Sequence, residues 1–424
     1  MENELRNIRE QSKKFKTVQG CMHCINEKTL IQEHEKQVRG KARGVDGVTK
    51  IKYGEELEEN IKDLVKRMKS LSYKPKPVRR AYIPKGNGKQ RPLGIPSYED
   101  KLVQGAMRRV LDEVYESRFM KFSYGFRKGM NAHGAVARIN LLMMRKKLNY
   151  VVDADIKGFF DNVDHKWLIK FLENDIEDKR FIRYINRFLI AGVMEDGRVI
   201  ESDKGTPQGG LISPVLANVY LHYVLDLWFE KQIKKNYKGQ AQIVRYADDF
   251  VCMFQYESEA KRFYQELKER LSEFGLELAE DKSKIMPFGR FAKENHNSRE
   301  TFDFLGFTFI NGKTRTDKYR VEIRTSEKKL KLKRRAVRKW LKVVHQLPID
   351  SIIDKLNRKI VGHYAYYGIS GNYRSLLKFY HYVKRTLYKM LNRRSQRRYL
   401  NWERFYKKLE RKPIVKPQLY VNVW

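Results

Sequence analysis

The chain has 424 residues, 41% of them hydrophobic, so it is long enough for two or three domains with real cores and is not a disordered chain. Lysine and arginine number 89 against 51 acidic residues, and the net charge of +38 indicates a nucleic-acid partner. No apolar run approaches the ~18 residues that span a bilayer, and no signal peptide is evident, so we expect no membrane partner and a cytoplasmic location.

Three cysteines occur, and two of them lie close together as Cys21-Met-His-Cys24. That spacing is typical of half a zinc site, but no second Cys/His pair follows at ribbon or finger spacing. We therefore expect ordinary helix residues there and a core position for Cys252. This cysteine usage suits a reducing cytoplasm.

The first 150 residues are predicted to be mainly helical, with one hairpin. Apolar spacing and breakers predict helix to about residue 40, a glycine-rich loop over 40–48, helices over 51–72, 98–118 and 131–147, and strands over 78–84 and 92–96. Lys85 and Arg91 lie at the tip of this hairpin.

The rest of the chain predicts a mixed segment followed by a basic helical one. The pattern predicts strands over 150–156, 276–279, 284–288 and 302–310, helices to about 193, after the turn at 205–210 and over 257–274, and only helices beyond about 311. Leu330, Val337, Trp340, Leu341 and Val344 form one face of a helix that is otherwise rich in cations.

The most informative feature is Tyr246-Ala-Asp-Asp249, which is flanked on both sides by apolar residues. Two apolar runs around a polar pair predict a β-hairpin with carboxylates at its tip. Because side chains alternate along a strand, the two acids do not both point the same way unless the turn intervenes. Asp248 is therefore favoured as a metal ligand over Asp249, although a surface turn is the alternative.

A second acidic pair lies in the strand before, where Asp153 and Asp155 share one face. Converging carboxylates stay ionised only around cations, and Mg²⁺ prefers such oxygen ligands. Two Mg²⁺ ions about 3.5–4 Å apart can activate a 3′-hydroxyl and stabilise a leaving pyrophosphate. We expect Mn²⁺ to be able to replace Mg²⁺.

The order of motifs resembles that of bacterial group II intron-encoded, or group II-like, reverse transcriptases with a maturase domain. The resemblance is carried by residues 44–48, 83–96, 123–133, 153–163, 205–214, 246–249, 276–283 and 304–307, and less specifically by 356–367. It implies an α+β fold: a right-hand polymerase with fingers and palm, followed by an α-helical thumb or maturase domain. The expected boundaries are an N-terminal extension over 1–63, fingers and palm over 64–311, and a basic helical domain over 312–424.

The resemblance also implies a role for individual residues. Asp155, Asp248 and Asp249 become the catalytic and metal-binding acids, with Ile156 added to the metal site. Lys85, Arg91, Phe160 and Gln208 become deoxynucleotide-binding residues, with Phe160 excluding a 2′-hydroxyl and Phe159 in the core. Arg127, Gly209, Lys282, Lys333, Arg334 and Arg335 become nucleic-acid contacts, although Arg127 could equally pair with an acid.

The implied function is RNA-directed DNA synthesis from deoxynucleoside triphosphates, with an RNA template, a DNA primer and structured intron RNA as partners. The alternatives are a splicing maturase that mainly binds RNA, a free-standing enzyme with a host role in defence or repair, and an RNA-dependent RNA polymerase, which Phe160 argues against. The C-terminus lacks the paired cysteines of the family's endonuclease, so we expect no endonuclease domain.

Overall fold

The fold was analysed in a computed structural model that describes residues 2–84, 90–200, 203–206, 209–292, 300–394 and 400–424. The helices are α1 (Glu2–Lys14), α2 (Glu27–Lys36), α3 (Lys50–Gly54), α4 (Leu57–Lys69), α5 (Tyr98–Tyr115), α6 (Ala132–Arg145), α7 (Phe159–Asn162), α8 (His165–Asp175), α9 (Lys179–Ile190), α10 (Ser213–Leu221), α11 (Lys234–Asn236), α12 (Glu257–Glu273), α13 (Glu327–Val344), α14 (Ile349–Tyr367), α15 (Tyr373–Leu391) and α16 (Trp402–Arg411). Two π-helical segments, His222–Asp226 and Phe229–Ile233, follow α10.

The strands form three sheets. They are β1 (Val78–Pro84), β2 (Gln90–Ile95), β3 (Tyr150–Ala154), β4 (Val193–Glu195), β5 (Arg198–Ile200), β6 (Ala241–Tyr246), β7 (Asp249–Phe254), β8 (Lys284–Pro287), β9 (Thr301–Phe304), β10 (Phe307–Lys313) and β11 (Tyr319–Thr325). Their orders are β2-β1-β4-β5, β6-β7-β3-β8 and β11-β10-β9. The hairpin β1–β2 is antiparallel, and Ile83 lies opposite Arg91. The mixture of helices and sheets confirms the predicted fold class.

The described chain divides into two compact units. The first comprises Met1–Asn131, Val152–Phe250 and Ser258–Lys284. Its central helix is α5, which buries twelve of its eighteen residues, including Leu102, Met107 and Leu111. A helix that is apolar on most sides has to be covered on most sides, and α1, α2 and α10 pack against it.

The second unit comprises Ala132–Val151, Val251–Glu257 and Ile285–Trp424. Its sheet β11-β10-β9 is antiparallel and places Phe302 and Phe309 in a stacked pair with ring centroids 4.7 Å apart. Helices α13 and α15 pack against each other. Leu330, Val337 and Leu341 are buried along α13, which confirms most of its predicted apolar face.

The prediction that only helices follow residue 311 is wrong in two places. Strand β10 continues to Lys313 and β11 follows it, because Val321 and Ile323 alternate with polar residues and pack into the core. At the other end, residues 412–424 form no helix, and Val421 forms a bridge with Ile369. The strand predicted near 276–279 is reduced to a single bridge between Leu278 and Ile156.

Two further predictions concern the cysteines and the membrane. Cys21–Cys24 is a short 3-10 helix whose two cysteines are buried and unoxidised, and Cys252 is buried in β7. Within the described ranges, no helix is both long enough and apolar enough to cross a bilayer.

Candidate active site

The predicted hairpin is present, and it places an acid in its turn. Strand β6 ends at Tyr246, β7 begins at Asp249, and Ala247 and Asp248 form the connection. Ala247 has φ +56°, a left-handed conformation that a residue with a Cβ atom rarely adopts. Asp248 is half-buried, whereas Asp249 is exposed. The turn therefore gives the two adjacent carboxylates different surroundings.

Asp155 follows β3 and is held by the backbone of a neighbouring segment. The carbonyl oxygen of Asp155 accepts a hydrogen bond from the Ala279 amide at 2.8 Å. Its carboxylate is 33% exposed and pairs with the Lys282 ammonium, at 2.9 Å between Oδ2 and Nζ. This pairing raises the pKa of Lys282. Lys282 thus reaches the acidic site, where its cation neutralises one carboxylate.

The electrostatics join Asp248 to residues that are distant in sequence. Burial raises the pKa of the Asp248 carboxyl above its usual value, and the charge of Asp155 raises it further. A hydrogen bond with its own backbone amide and the cations Arg91 and Arg245 act in the opposite direction. Asp155 and Asp248 therefore repel each other, while Arg91 from the β1–β2 hairpin lies within electrostatic range.

The chemistry of this donor set fits a divalent cation. The charge of Asp155 raises the pKa of Asp248, a hard cation would relieve this repulsion, and a lysine ammonium already takes such a position at Asp155. In the described part of the chain, no group of three or more His, Cys, Asp or Glu side chains is arranged to hold a metal ion. The metal roles of Asp155, Ile156, Asp248 and Asp249 therefore stay predictions.

Phe160 and Gly205 line a cleft in the first unit. Phe159 is buried and Phe160 is half-buried, and their rings meet edge to face at 5.4 Å. The Thr206 amide donates to the Phe160 carbonyl at 2.8 Å, which ties the Phe160 turn to the glycine-rich segment. The cleft has a volume of about 310 Å³ and is lined by Arg80, Pro92, Phe160, Asp161, Leu189, Gly192, Val193, Lys204, Gly205 and Thr206.

At Gly209, the glycine-rich segment that precedes α10 contacts strand β2 of the β1–β2 hairpin. Its φ is +115°, and a Cβ atom added there would lie 2.6 Å from the carbonyl oxygen of Gly94 in β2. Only glycine fits this position, because both the backbone angle and the close contact exclude a side chain. Lys85 and Gln208, the two other residues predicted in this region, lie outside the described residues.

Arg127 is a correction to the predicted set of nucleic-acid contacts. Its side chain is 5% exposed and pairs with Glu116 at 2.8 Å. All five of its N–H donors are used: they bond the Glu116 carboxylate and the carbonyl oxygens of Glu116, Met120 and Ser123. A guanidinium committed in this way pairs with an acid and has no donor left for a phosphate.

The remaining predicted cations lie on α13 in the second unit. Lys333 and Arg335 are exposed, and the Arg334 guanidinium lies over the Tyr382 ring at 5.4 Å. Lys333 and Arg335 are thus accessible to a polyanion, whereas Arg334 also takes part in packing.

Sequence reasoning missed a buried polar cluster beneath the acidic turn. Arg245 and Asp226 are fully buried and form a two-bonded ion pair, with N···O distances of 2.7 and 2.5 Å. The Arg245 guanidinium also donates to Asn218 and to the Ala247 carbonyl, each at 3.0 Å. The available signal was an arginine at the end of an apolar strand, next to Tyr246.

Comparison with known proteins agrees with this geometry. The family described as "Reverse transcriptase (RNA-dependent DNA polymerase)" matches residues 83–309, and "Group II intron, maturase-specific domain" matches residues 330–409. Polymerases with the first domain depend on divalent metal ions in general.

Named relatives point the same way. "Group II intron-encoded protein LtrA" of Lactococcus lactis subsp. cremoris is 36% identical over 250 residues, 56% of this chain and 41% of LtrA. "Protein YkfC" of Escherichia coli K12 is 32% identical over 308 residues, 66% of this chain and 78% of YkfC. The match thus spans about two fifths of the length of LtrA. The chain belongs to the group II intron-type reverse transcriptases, in which a maturase-specific domain follows the polymerase domain.

Proposed function

We propose that the chain is an RNA-directed DNA polymerase that extends a DNA primer on an RNA template with deoxynucleoside triphosphates. The observation that carries the proposal is the electrostatics of the acidic site. Lys282 pairs with Asp155, and the charges of Asp155 and Arg91 both act on the pKa of Asp248. Acids that repel each other beside cations suit nucleotidyl transfer, in which the primer 3′-hydroxyl attacks the α-phosphate, a phosphodiester bond forms and pyrophosphate leaves.

The roles of the residues follow from their positions. Asp155 and Asp248 would hold two Mg²⁺ ions, with the Ile156 carbonyl and Asp249 as further ligands and Mn²⁺ as a substitute. When bound, the ions lower the pKa of the primer hydroxyl and neutralise the leaving phosphates. Arg91 would contact the triphosphate, and Lys282 would be released from Asp155 to bind phosphate nearby. Gly209 would let the backbone approach nucleic acid closely.

Phe160 supports DNA rather than RNA as the product. Its half-buried ring lies at one wall of the cleft, and the Thr206 amide holds the backbone carbonyl of Phe160. An aromatic ring beneath the sugar would collide with a 2′-hydroxyl. Phe160 thereby selects against ribonucleotides and against the alternative of an RNA-dependent RNA polymerase.

Primer extension on a defined RNA template tests this function. We expect the wild-type protein to extend a DNA primer with deoxynucleotides in Mg²⁺ and to use ribonucleotides poorly at equal concentration. Efficient extension with ribonucleotides, or no extension with either, would refute the proposal. A DNA template of the same sequence is the control for template choice.

A second function, the binding of structured intron RNA to assist splicing, is favoured by the match of the maturase-specific domain over 330–409. The exposed cations Lys333 and Arg335 lie within that region. If both functions are present, Asp248→Asn abolishes DNA synthesis and leaves the splicing of a parent intron intact. Loss of both activities in a folded Asp248→Asn protein would contradict separate roles.

A further inference from the structure

The acidic turn rests on a ring of buried hydrogen bonds that one close backbone contact completes. Arg245 bonds Asp226, Asn218 and the Ala247 carbonyl, and the Asn218 amide donates to the Gly125 carbonyl at 2.7 Å. Gly125 in turn lies against the backbone of Ala247, so closely that an added Cβ atom would collide with the Ala247 nitrogen. The ring therefore begins and ends at the residue before Asp248.

The backbone of Arg245 is fixed as firmly as its side chain. Its amide donates to the Phe122 carbonyl at 2.9 Å, and its carbonyl accepts from the Tyr124 amide at 2.8 Å. Asp226, its counter-ion, is the last residue of a π-helical segment, an irregularity that is frequent at functional sites. Segments from three parts of the first unit thus converge on one guanidinium.

The ring of hydrogen bonds stabilises the left-handed backbone conformation of Ala247. A left-handed alanine persists only where its surroundings over-determine it. The Arg245 guanidinium holds the Ala247 carbonyl at 3.0 Å, and Gly125 leaves room for its backbone. The turn that presents Asp248 is therefore imposed by its supports, because the alanine itself disfavours the angle.

The buried Arg245–Asp226 ion pair supplies hydrogen-bond donors that an apolar pair at this position would lack. A buried ion pair costs desolvation, and apolar residues of similar volume often stabilise a fold equally well. Asp226 neutralises most of the Arg245 charge, while the guanidinium keeps donors for the turn. The planar guanidinium makes four hydrogen bonds here, two to Asp226 and one each to Asn218 and Ala247, which is one more than the three donors of an ammonium allow.

We propose that Arg245 is a positioning residue that, held by Asp226 and Asn218, fixes the Ala247–Asp248 turn so that Asp248 is aligned to bind the catalytic metal ion. This inference rests on the proposed polymerase function for its activity readout. Arg245 is fully buried and commits four of its five N–H donors to Asp226, Asn218 and Ala247, so its hydrogen bonds reach the acidic site through the turn.

The test is the double variant Arg245→Met/Asp226→Leu, which removes the ion pair and keeps the buried volume. Its control is Arg67→Met/Glu99→Leu, another ion pair of the first unit, at 2.8 Å, which joins α4 to α5. We would compare wild type and both variants by melting temperature, by the kcat of primer extension and by the KM for deoxynucleotide. The Kd for Mn²⁺ would be measured by electron paramagnetic resonance with primed RNA bound.

We expect the Arg245→Met/Asp226→Leu protein to fold, with kcat about 100-fold lower, because a misplacement of about 1 Å costs that much. The Kd for Mn²⁺ should rise about tenfold and the KM for deoxynucleotide should stay within about twofold of wild type. The control pair should leave kcat and the Mn²⁺ Kd unchanged. Wild-type kcat and Mn²⁺ affinity in the folded double variant would overturn the proposal.

Two further arms separate the outcomes. If the double variant does not fold, Asn218→Ala removes one link of the ring, and we expect weaker Mn²⁺ binding; unchanged binding there would overturn the proposal. If the wild-type protein binds Mn²⁺ but makes no DNA, the polymerase function fails, and the Mn²⁺ comparison alone decides the role of Arg245.

Discussion

Each acid of the site owes its properties to one or two neighbouring residues. Asp248 lies in a turn that Ala247 adopts against its own preference, and Asp155 is neutralised by Lys282. The sequence predicted the hairpin and the acids, because apolar flanks and strand alternation are local signals. It did not predict Asp226, Asn218 or the left-handed alanine, because these depend on contacts between residues far apart in the chain.

Phe160→Ala tests the sugar-selecting role of the aromatic ring. Removing the ring opens space for a 2′-hydroxyl, so we expect ribonucleotide incorporation relative to deoxynucleotide to rise about 10- to 100-fold. The ratio of kcat/KM values on a primed RNA template measures it. Phe15→Ala, at an exposed phenylalanine of the same unit, is the control and should leave the ratio unchanged. An unaltered ratio in Phe160→Ala would show that Phe160 does not select the sugar of the incoming nucleotide.

Gly209→Ala tests the close passage of the glycine-rich segment over β2. We expect a loss of stability that exceeds the roughly 1 kcal/mol of a strained left-handed alanine, because the Cβ atom also meets the Gly94 carbonyl. Chemical denaturation measures the free energy of unfolding. Gly197→Ala is the matched control, since Gly197 also has a positive φ (+79°) but has open space around it. Equal losses in the two variants would contradict the contact.

At the scale of elements, a predicted helix or strand was found wherever the apolar period was long and clear. Helix α4 buries Ile61, Leu64 and Met68, and α13 buries Leu330, Val337 and Leu341, as their spacing indicates. The failures fall where charge obscured the pattern. Strand β11 alternates arginine and glutamate with its two core residues, so the basic composition after 311 suggested helix.

Helix α13 supplies a prediction about RNA affinity. We propose that the exposed Lys333 and Arg335 each contact a phosphate, so replacing both by alanine should make the slope of log K against log salt shallower by about 1.5. Filter binding of structured intron RNA over a range of salt concentrations measures it. Arg262→Ala/Lys268→Ala on α12 is the control, with the same change in net charge but cations that pair with Glu266 and Glu280. A slope identical to wild type would exclude α13 from the interface.

Helices α14 and α15 enclose His363, which makes the stability of the second unit dependent on pH. Its ring lies 4.1 Å from that of Phe379, and within the described residues neither ring nitrogen has a hydrogen-bond partner. Burial lowers the pKa of His363 to about 4, with a smaller contribution from Lys333. The folded state thus disfavours the proton that the unfolded state accepts near pH 6.5. Stability is therefore unaffected above pH 6.5 and is lost as the pH falls toward 4.

His363→Phe tests this dependence. At pH 5 the wild-type histidine should cost ~2 kcal/mol of unfolding free energy relative to pH 7, and His363→Phe should lose that much less over the same change. Denaturant unfolding at both pH values measures it, and His345→Phe, at a partly exposed histidine, is the control. The same pH response in wild type and His363→Phe would show that His363 is not buried as a neutral base.

At the scale of the whole molecule, the net charge of +38 and the order of motifs already indicated a nucleic-acid enzyme. The matches over 83–309 and 330–409 confirm that family. The predicted boundaries at 63 and 311 stay predictions, as do the roles of Lys85 and Gln208. What the sequence could not supply is how the acids are supported, since burial and long-range hydrogen bonds are properties of the folded chain.

The most direct test of the central claim is primer extension by Asp248→Asn on an RNA template, beside the control Asp63→Asn at an exposed carboxylate of the same unit. The asparagine keeps the shape of the side chain and removes its charge, so metal binding should fail. We expect kcat to fall about 10³-fold or more in a protein with wild-type melting temperature, and Asp63→Asn to be unchanged. DNA synthesis by Asp248→Asn at the wild-type rate would contradict the assignment of this hairpin as the catalytic centre.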